Sequence, residues 1–408
     1  MSVANLALQR SKYKHLTDEQ WRWFLQQVEG RERTADKLPT FATVEDWWYP
    51  VRLSCEQCSS ELTAKYKASL IANSQRLMAD LTGGYGVDTY FLSELFEHTD
   101  YVEQNAELCR IAAHNFSLAS PSSPKIKEIH VHNATAEDFL KSAGLYDLIF
   151  IDPARRDSHG GKVFRLEDCT PNMVELLPAL QKHLTENGRI LLKLSPMLDL
   201  TQALKALSAM SWDMYVVAIK NEVKELLLLS QSPITNHQSA ITNHQSPIIT
   251  AIDLNKPEQK FVFTREDESN SEAIHAEGST RGEAAINSAA INYLYEPNAA
   301  ILKAGAYKLV AQRFGLHKLD INTHLYCSEN LIPDFPGRVW SIKEQITNHH
   351  SPITNANVLV RNYPLTPEQL KKKLHLRDGG TAFVIGCRVQ GKPSLFLAER
   401  IEDIHAEG

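Results

Sequence analysis

The chain contains no run approaching the roughly 18 to 20 apolar residues needed to cross a bilayer. Residues 1–15 alternate Gln, Arg and Lys with apolar residues and have no signal-peptide core, so a cytoplasmic protein with no membrane attachment is expected. Cysteine is scarce: six thiols in 408 residues, Cys55, Cys58, Cys109, Cys169, Cys327 and Cys387, are too sparse for a disulfide scaffold. Cys55-Glu-Gln-Cys58 has metal-like spacing, but no second C-x-x-C or Cys/His pair answers it, and no metal is expected. An excess of cations is missing as well, since 43 Lys and Arg stand against 49 Asp and Glu for a formal charge of -6. That balance excludes indiscriminate coating of nucleic acid and leaves a local basic patch as the route to a structured polyanion. Nothing in the composition sets an oligomeric state.

What the chain does have is length and apolar content: 43% of its 408 residues are hydrophobic, enough for two or three domains with real cores. Its first 70 residues read as helical. Trp21, Phe24 and Leu25 recur at helical spacing over 17–27, a second long helix is expected over 54–71, and Trp47, Trp48 and Tyr49 read as a packed core seam. From residue 74 the period changes. Short apolar strands (74–79, 99–103, 128–132, 146–152, 189–193) alternate with helices (88–96, 105–116, 136–143, 172–185, 200–207), the pattern of a parallel, doubly wound α/β sheet. Two further apolar segments, 214–220 and 222–229, are expected to pair antiparallel at the sheet edge.

The most informative segment is Met78-Ala-Asp80-Leu-Thr82-Gly83-Gly84-Tyr-Gly86-Val-Asp88-Thr89. A strand running into an acid and then glycines describes a turn that needs positive φ and lets the main chain approach a ligand closely. Asp88 is expected to cap the helix that follows. A dinucleotide fingerprint wants G-x-G-x-x-G, and Gly84-Tyr-Gly86-Val-Asp88-Thr89 lacks its third glycine, which disfavours a nicotinamide-dependent oxidoreductase. An acid placed before the turn suits the amino-acid end of S-adenosylmethionine better, and Asp80, Thr82, Gly83, Gly84, Gly86 and Asp88 form the expected cofactor set. Glu103 follows Asp80 by 23 residues at the end of the next strand, where a carboxylate accepts hydrogen bonds from both ribose hydroxyls. Asp138 completes the set.

Asp147-Leu-Ile-Phe-Ile-Asp152-Pro153-Ala-Arg155-Arg156 reads as a buried strand ending at the carboxyl edge, where open α/β sheets put their active sites. There Asp152 accepts a proton or orients the attacked nitrogen, because transfer of a methyl cation demands a free lone pair held in line. Pro153 stiffens the turn, Arg155 orients the nucleotide with Asp152, and Arg156 holds a phosphate by charge-assisted hydrogen bonds. Lys193 joins Arg156 as a substrate-binding residue. The next thiol, Cys169, falls in a loop poorly placed for a nucleophilic route to C5 of a pyrimidine.

Ile-Thr-Asn-His recurs within 232–250 and again at 346–349, and Ile-His-Ala-Glu-Gly occurs at 274–278 and 404–408. These polar, proline-punctuated copies read as low-complexity insertions in surface loops rather than as histidine metal sites. Beyond residue 289 a smaller α+β region begins, with a helix near 299–314, strands at 323–327 and 356–362, a helix over 366–374, and strands at 381–388 and 394–398. Residues 361–377 hold five Lys or Arg against one Glu, a net +4, which makes either a solvated helix face or an RNA-contacting one.

On these residues the chain resembles the class I S-adenosylmethionine-dependent methyltransferases with a THUMP-like carboxyl domain, found in Bacteroidetes-type bacteria. The matching blocks are Leu38-Pro-Thr40, Glu56-Gln-Cys-Ser-Ser-Glu61, Thr63-Ala-Lys-Tyr-Lys67, Asp80-Leu-Thr-Gly-Gly-Tyr-Gly-Val-Asp88 and Asp152-Pro-Ala-Arg-Arg156. Further along come Lys193-Leu-Ser-Pro-Met-Leu-Asp199, Asn221-Glu-Val-Lys-Glu-Leu226, Tyr293-Leu-Tyr-Glu-Pro-Asn298, Phe335-Pro-Gly-Arg338 and Asn362-Tyr-Pro-Leu365, with the repeats between the blocks. The resemblance implies a helical cap over 1–72 and a Rossmann-like methyltransferase domain over 73–266 with an insertion at 232–250. It further implies a variable linker over 267–289, a ferredoxin-like segment over 290–330 and a THUMP-like domain over 331–403 with an insertion at 345–355. It makes RNA, a tRNA or rRNA base, the expected substrate, with Lys371, Lys372 and Lys373 contacting it. Two departures stand out: Ala154-Arg155 replace the Pro-aromatic pair that stacks a base in amino-group methyltransferases, and Thr82 stands where the commoner turn has glycine. The alternative is a non-catalytic RNA-binding or assembly protein that keeps the fold.

Overall fold

A computed structural model describes residues 3–71, 75–122, 128–155, 166–231, 246–272, 291–347 and 353–401. The repeat histidines His237, His244 and His349 and both Ile-His-Ala-Glu-Gly copies lie outside them. The strands are β1 (Gln75–Asp80), β2 (Phe96–Glu103), β3 (Glu128–Asn133), β4 (Tyr146–Ile151), β5 (Ala154–Arg155), β6 (Cys169–Thr170), β7 (Leu184–Leu194), β8 (Trp212–Ile219) and β9 (Glu222–Ser230). They continue as β10 (Ile248–Asp253), β11 (Phe261–Thr264), β12 (Tyr293–Pro297), β13 (His317–Asp320), β14 (Thr323–Ser328), β15 (Gly337–Gln345), β16 (Asn357–Arg361), β17 (Ala382–Val389) and β18 (Lys392–Ile401). Two compact units result: Met1–Asp213 with Leu226–Asn243, and Met214–Glu225 with His244–Gly408. Among the described residues no helix is long and apolar enough to cross a membrane.

In the first unit the strand order is β9-β7-β4-β1-β2-β3. Strands β1 to β4 and β7 run parallel, and β9 pairs antiparallel with β7. β4 is apolar and fully buried from Leu148 to Ile151 because it is covered on both faces. The chain runs outward from β1 to β2 and β3, then crosses to β4 on the other side. The β1/β4 boundary is therefore the switch point of a doubly wound sheet, and a crevice opens at its carboxyl edge.

The amino-terminal helices belong to this unit's core. Helix Asp18–Thr34 starts at a reciprocal cap, in which Gln20 N–H donates to Thr17 Oγ and Thr17 N–H to Gln20 Oε1. The expected helix over 54–71 is two helices, Arg52–Gln57 and Glu61–Ser69. Ser60 separates them, and its hydroxyl caps the second by accepting Thr63 N–H at 3.2 Å. Phe41, Trp47 and Tyr49 pack with Tyr85, Tyr90 and Phe91 of the glycine turn and its helix. The aromatic seam is thus core, with half-buried Trp48 stacked on His114 at 3.6 Å.

In the second unit β10 lies parallel to β8 and β11 antiparallel to β10. The segments expected as an edge pair are therefore not at the edge, because the chain returns after residue 245 to extend the sheet beyond β8. Lys220 and Asn221, both at positive φ, make the tight turn after β8. Asn221 also accepts Ala299 N–H at 2.7 Å. A seven-stranded sheet, β13-β14-β12-β15-β18-β17-β16, forms the rest around Leu294, Leu325, Trp340, Ile385 and Phe396. The helix expected over 299–314 breaks at Gly305 (φ +84°) into Ala299–Ala304 and Tyr307–Phe314, since only the left-handed conformation closes the first.

Candidate cofactor and catalytic site

A cavity of about 330 Å³ opens at the switch point of the first unit, with Asp80, Gly84, Glu103, Glu137, Asp152 and Lys193 in its wall. Its floor is the glycine turn. Gly83 passes directly over the Tyr101 ring, so a Cβ there would lie 2.1 Å from that ring; Gly84 and Gly86 have φ of +56° and +82°. A Cβ on Gly84 would meet only Thr82 O, at 3.8 Å, so the space before this backbone is clear for a ligand. Tyr101 Oη donates to Gly84 O at 2.5 Å and fixes the turn from below. Glu103, at the end of β2, accepts Gly84 N–H at 3.0 Å and Asn105 N–H at 2.7 Å, and its two oxygens retain lone pairs for further donors.

Asp80 ends β1 and is 1% exposed. Its carboxylate accepts Thr82 N–H at 3.0 Å and Thr89 Oγ–H at 2.5 Å. Burial pushes its pKa up to about 7 against those two hydrogen bonds, with Asp88 and Asp152 adding to the rise. Thr82 has a physical reason to stand where glycine is commoner: its hydroxyl accepts Asp152 N–H at 2.6 Å and ties the ends of β1 and β4 together across the switch point.

The acids of the site are joined by lysines. Lys193, near the end of β7, contacts Asp152 Oδ2 at 2.5 Å and lies 3.9 Å from Asp88 Oδ2. Asp88 in turn contacts Lys67 at 3.1 Å and accepts Ser59 Oγ–H at 2.6 Å. Burial alone would push Asp88 up, but Lys67, Lys193 and Ser59 together hold it below the usual carboxylate range. The expectation that Asp88 caps its helix is corrected: Gly86 is the cap residue, and Asp88 points into this ion cluster because helix Val87–Ser93 is buried along its length. Lys67, itself fully buried, and Ser59 were absent from the expected site. Their only signal was that they fall within the matching blocks Glu56–Glu61 and Thr63–Lys67.

The structure therefore brings Asp80, Thr82, Gly83, Gly84, Gly86, Asp88, Glu103, Asp152 and Lys193 to one cavity. It places Asp138 elsewhere: its exposed carboxylate pairs with Lys141 at 2.6 Å, while Thr135, Ala136 and Glu137 of the same turn line the wall. Pro153 is half-buried after β4; Arg156 and the side chain of Arg155 lie outside the described residues. Cys169 is not remote from Asp152, since β6 pairs antiparallel with β5 and sets Cys169 opposite Arg155, with Thr170 in the cavity wall. In the second unit Lys371 pairs with Asp378, and Lys372 and Lys373 are exposed.

Residues 293–336 match a ferredoxin-like domain family and residues 337–400 a THUMP domain-like family. A crystal structure of a protein assigned as a methyltransferase, from Porphyromonas gingivalis, is 31% identical, covers 95% of this chain and 92% of its own, and superposes with a TM-score of 0.79. An uncharacterized S-adenosylmethionine-dependent methyltransferase present in two strains of Mycobacterium tuberculosis is 21% identical over 384 residues, 90% of this chain and 92% of its own. A glycine turn at the switch point of a doubly wound sheet, an acid closing the next strand, and kinship over nearly the whole length agree with one another. The chain belongs to the class I S-adenosylmethionine-dependent methyltransferases that carry ferredoxin-like and THUMP-like carboxyl-terminal domains.

Proposed function

We propose that the chain methylates a base of a structured RNA, transfer or ribosomal, bound through its THUMP-like domain. The observation that carries the RNA reading is the THUMP domain-like match over 337–400. Within it helix Pro367–Leu374 presents exposed Lys372 and Lys373, a local cationic row in a chain of net charge -6, as a polyanion site requires. S-adenosylmethionine, when bound, supplies an electrophilic methyl group. Asp80 would take its ammonium, the clear backbone at Gly84 would lie against it, and Glu103 would accept hydrogen bonds from its ribose hydroxyls. Apolar Leu108, Ala134 and Ala136 in the wall suit an adenine ring. Asp152, held by Lys193 and by Thr82, orients the target nitrogen and takes up its proton, while Pro153 stiffens the turn and Arg155 and Arg156 bring charge to the nucleotide's phosphate.

The test is transfer of labelled methyl from S-adenosylmethionine to RNA by the purified protein, with modified nucleosides compared by mass spectrometry between wild-type and deletion cells. One nucleoside is expected to disappear on deletion. Asp152→Ala is expected to lower turnover about 10²- to 10⁴-fold, the range for a positioned acid–base group, with cofactor affinity retained. RNA crosslinking without methyl incorporation would replace this reading with the non-catalytic one. Label appearing only in protein or small molecules would overturn RNA as the substrate.

A further inference from the structure

We propose that one face of β2 and β3 carries a divalent-cation site built from Asp100, His130 and His132, of the class filled by Zn²⁺. β2 and β3 run parallel with Asp100 opposite His130, and His132, two residues on, falls on the same face. One donor atom from each of the three lies within 4.8 Å of the others. Asp100 Oδ1 is 2.7 Å from His132 Nε2, a hydrogen bond whose proton a cation would displace, and 3.9 Å from His130 Nδ1. Bonds of 2.0 to 2.2 Å in a tetrahedral Zn²⁺ site put ligand atoms about 3.3 Å apart, and the two separations bracket that value.

The groups behind these three are arranged as a ligand set needs. Glu128 Oε1 sits 2.7 Å from His130 Nε2, so that nitrogen carries the ring's proton and Nδ1 turns a lone pair towards Asp100 and His132. Tyr146 Oη donates to Asp100 Oδ2 at 2.8 Å, which fixes the carboxylate with Oδ1 facing the histidines. Phe139 packs on the His132 ring at 4.9 Å. Two imidazoles and one carboxylate suit a borderline first-row cation, whereas Mg²⁺ and Ca²⁺ prefer all-oxygen shells. Three protein donors leave a fourth position for water. An ion here clamps β2 to β3 just before Glu103 on one strand and Thr135 to Glu137 after the other, both of which line the cofactor cavity.

Calorimetric titration of the full chain with ZnCl₂ tests this. Other thiols and histidines contribute background binding, so the reading is a difference between variants. His130→Gln, at a half-exposed side chain, and Asp100→Asn, which keeps an acceptor for Tyr146, are each expected to abolish one equivalent of binding or weaken it more than tenfold. Glu128→Gln is expected to weaken that same equivalent about tenfold without removing it, and the surface control His317→Gln to change nothing. Unaltered thermal unfolding of the metal-free variants confirms that they fold. Binding unchanged within twofold in both His130→Gln and Asp100→Asn would overturn the proposal and leave the cluster a plain surface network.

Discussion

Asp88 and Glu296 are both nearly fully buried carboxylates held between two cations, one in each unit, yet the two clusters are built for different ends. Asp88 sits between lysines, and an ammonium is a compact charge that two acids can share: Lys193 spans Asp88 and Asp152 and so connects the core to the cavity. Glu296 sits between arginines. Arg338 closes on it as a fork from the register-paired position on β15, and Arg361 reaches it from the end of β16. Two donors of Arg338 meet one oxygen of Glu296 and Arg361 Nε meets the other, so this cluster pins β12, β15 and β16 together. The same charge pattern makes an adjustable link in one unit and a clamp in the other.

The largest effect that would break this comparison concerns the clamp. Glu296→Ala leaves two guanidinium groups without their acid, a change that costs about 3 to 5 kcal/mol when fully buried. With the arginines about a third exposed, about 2 to 3 kcal/mol is expected in urea unfolding, and cofactor affinity should not move. A loss below about 1 kcal/mol, or a drop in affinity, would show that the clamp has been misread. Next comes the link. Lys67→Met leaves Asp88 to draw Lys193 away from Asp152, and turnover is expected to fall about tenfold with the cofactor dissociation constant unchanged, in line with a misplaced acid–base group. Lowered stability at full turnover would reduce Lys67 to a structural role.

Asp80 sharpens the contrast, because it is buried with amide and hydroxyl donors in place of cations and its pKa rises to about 7 while that of Asp88 falls. With the folded value above the ordinary 3.8, its contribution to stability is full below about pH 4 and is lost as pH rises through about 7. A bound ammonium favours the ionised form, so cofactor affinity should move the other way and strengthen up to about tenfold between about pH 6 and 8. Asp80→Asn is expected to flatten both dependences in parallel fluorescence titrations. A wild-type affinity flat across that range would detach Asp80 from the ammonium.

Much of this was legible in the chain itself. Strand–helix alternation from residue 74, an acid before glycines, and acids closing the next strands are local patterns, and each is set by what a few neighbouring residues can do in φ, ψ and burial. Where reading failed, the deciding partner lay far along the chain. Asp88 looked like a helix cap until Lys67 arrived from the amino-terminal helices. Cys169 looked like loop until β5 accepted it as a partner, and 214–229 looked like an edge until β10 came back beside β8. Asp138 has the right residue type on the wrong side of its turn, a matter of one rotation along a short helix.

The sequence by itself determined the doubly wound class, the glycine turn and most of the residues that gather around it, because backbone conformation and periodic burial are properties of short segments. Only the tertiary structure decided which charges meet. Pairing Lys193 with Asp152, Lys67 with Asp88 and two arginines with Glu296 depends on distances of a few ångströms between residues 21 to 65 positions apart, and the low dielectric of the interior is what gives those meetings their strength.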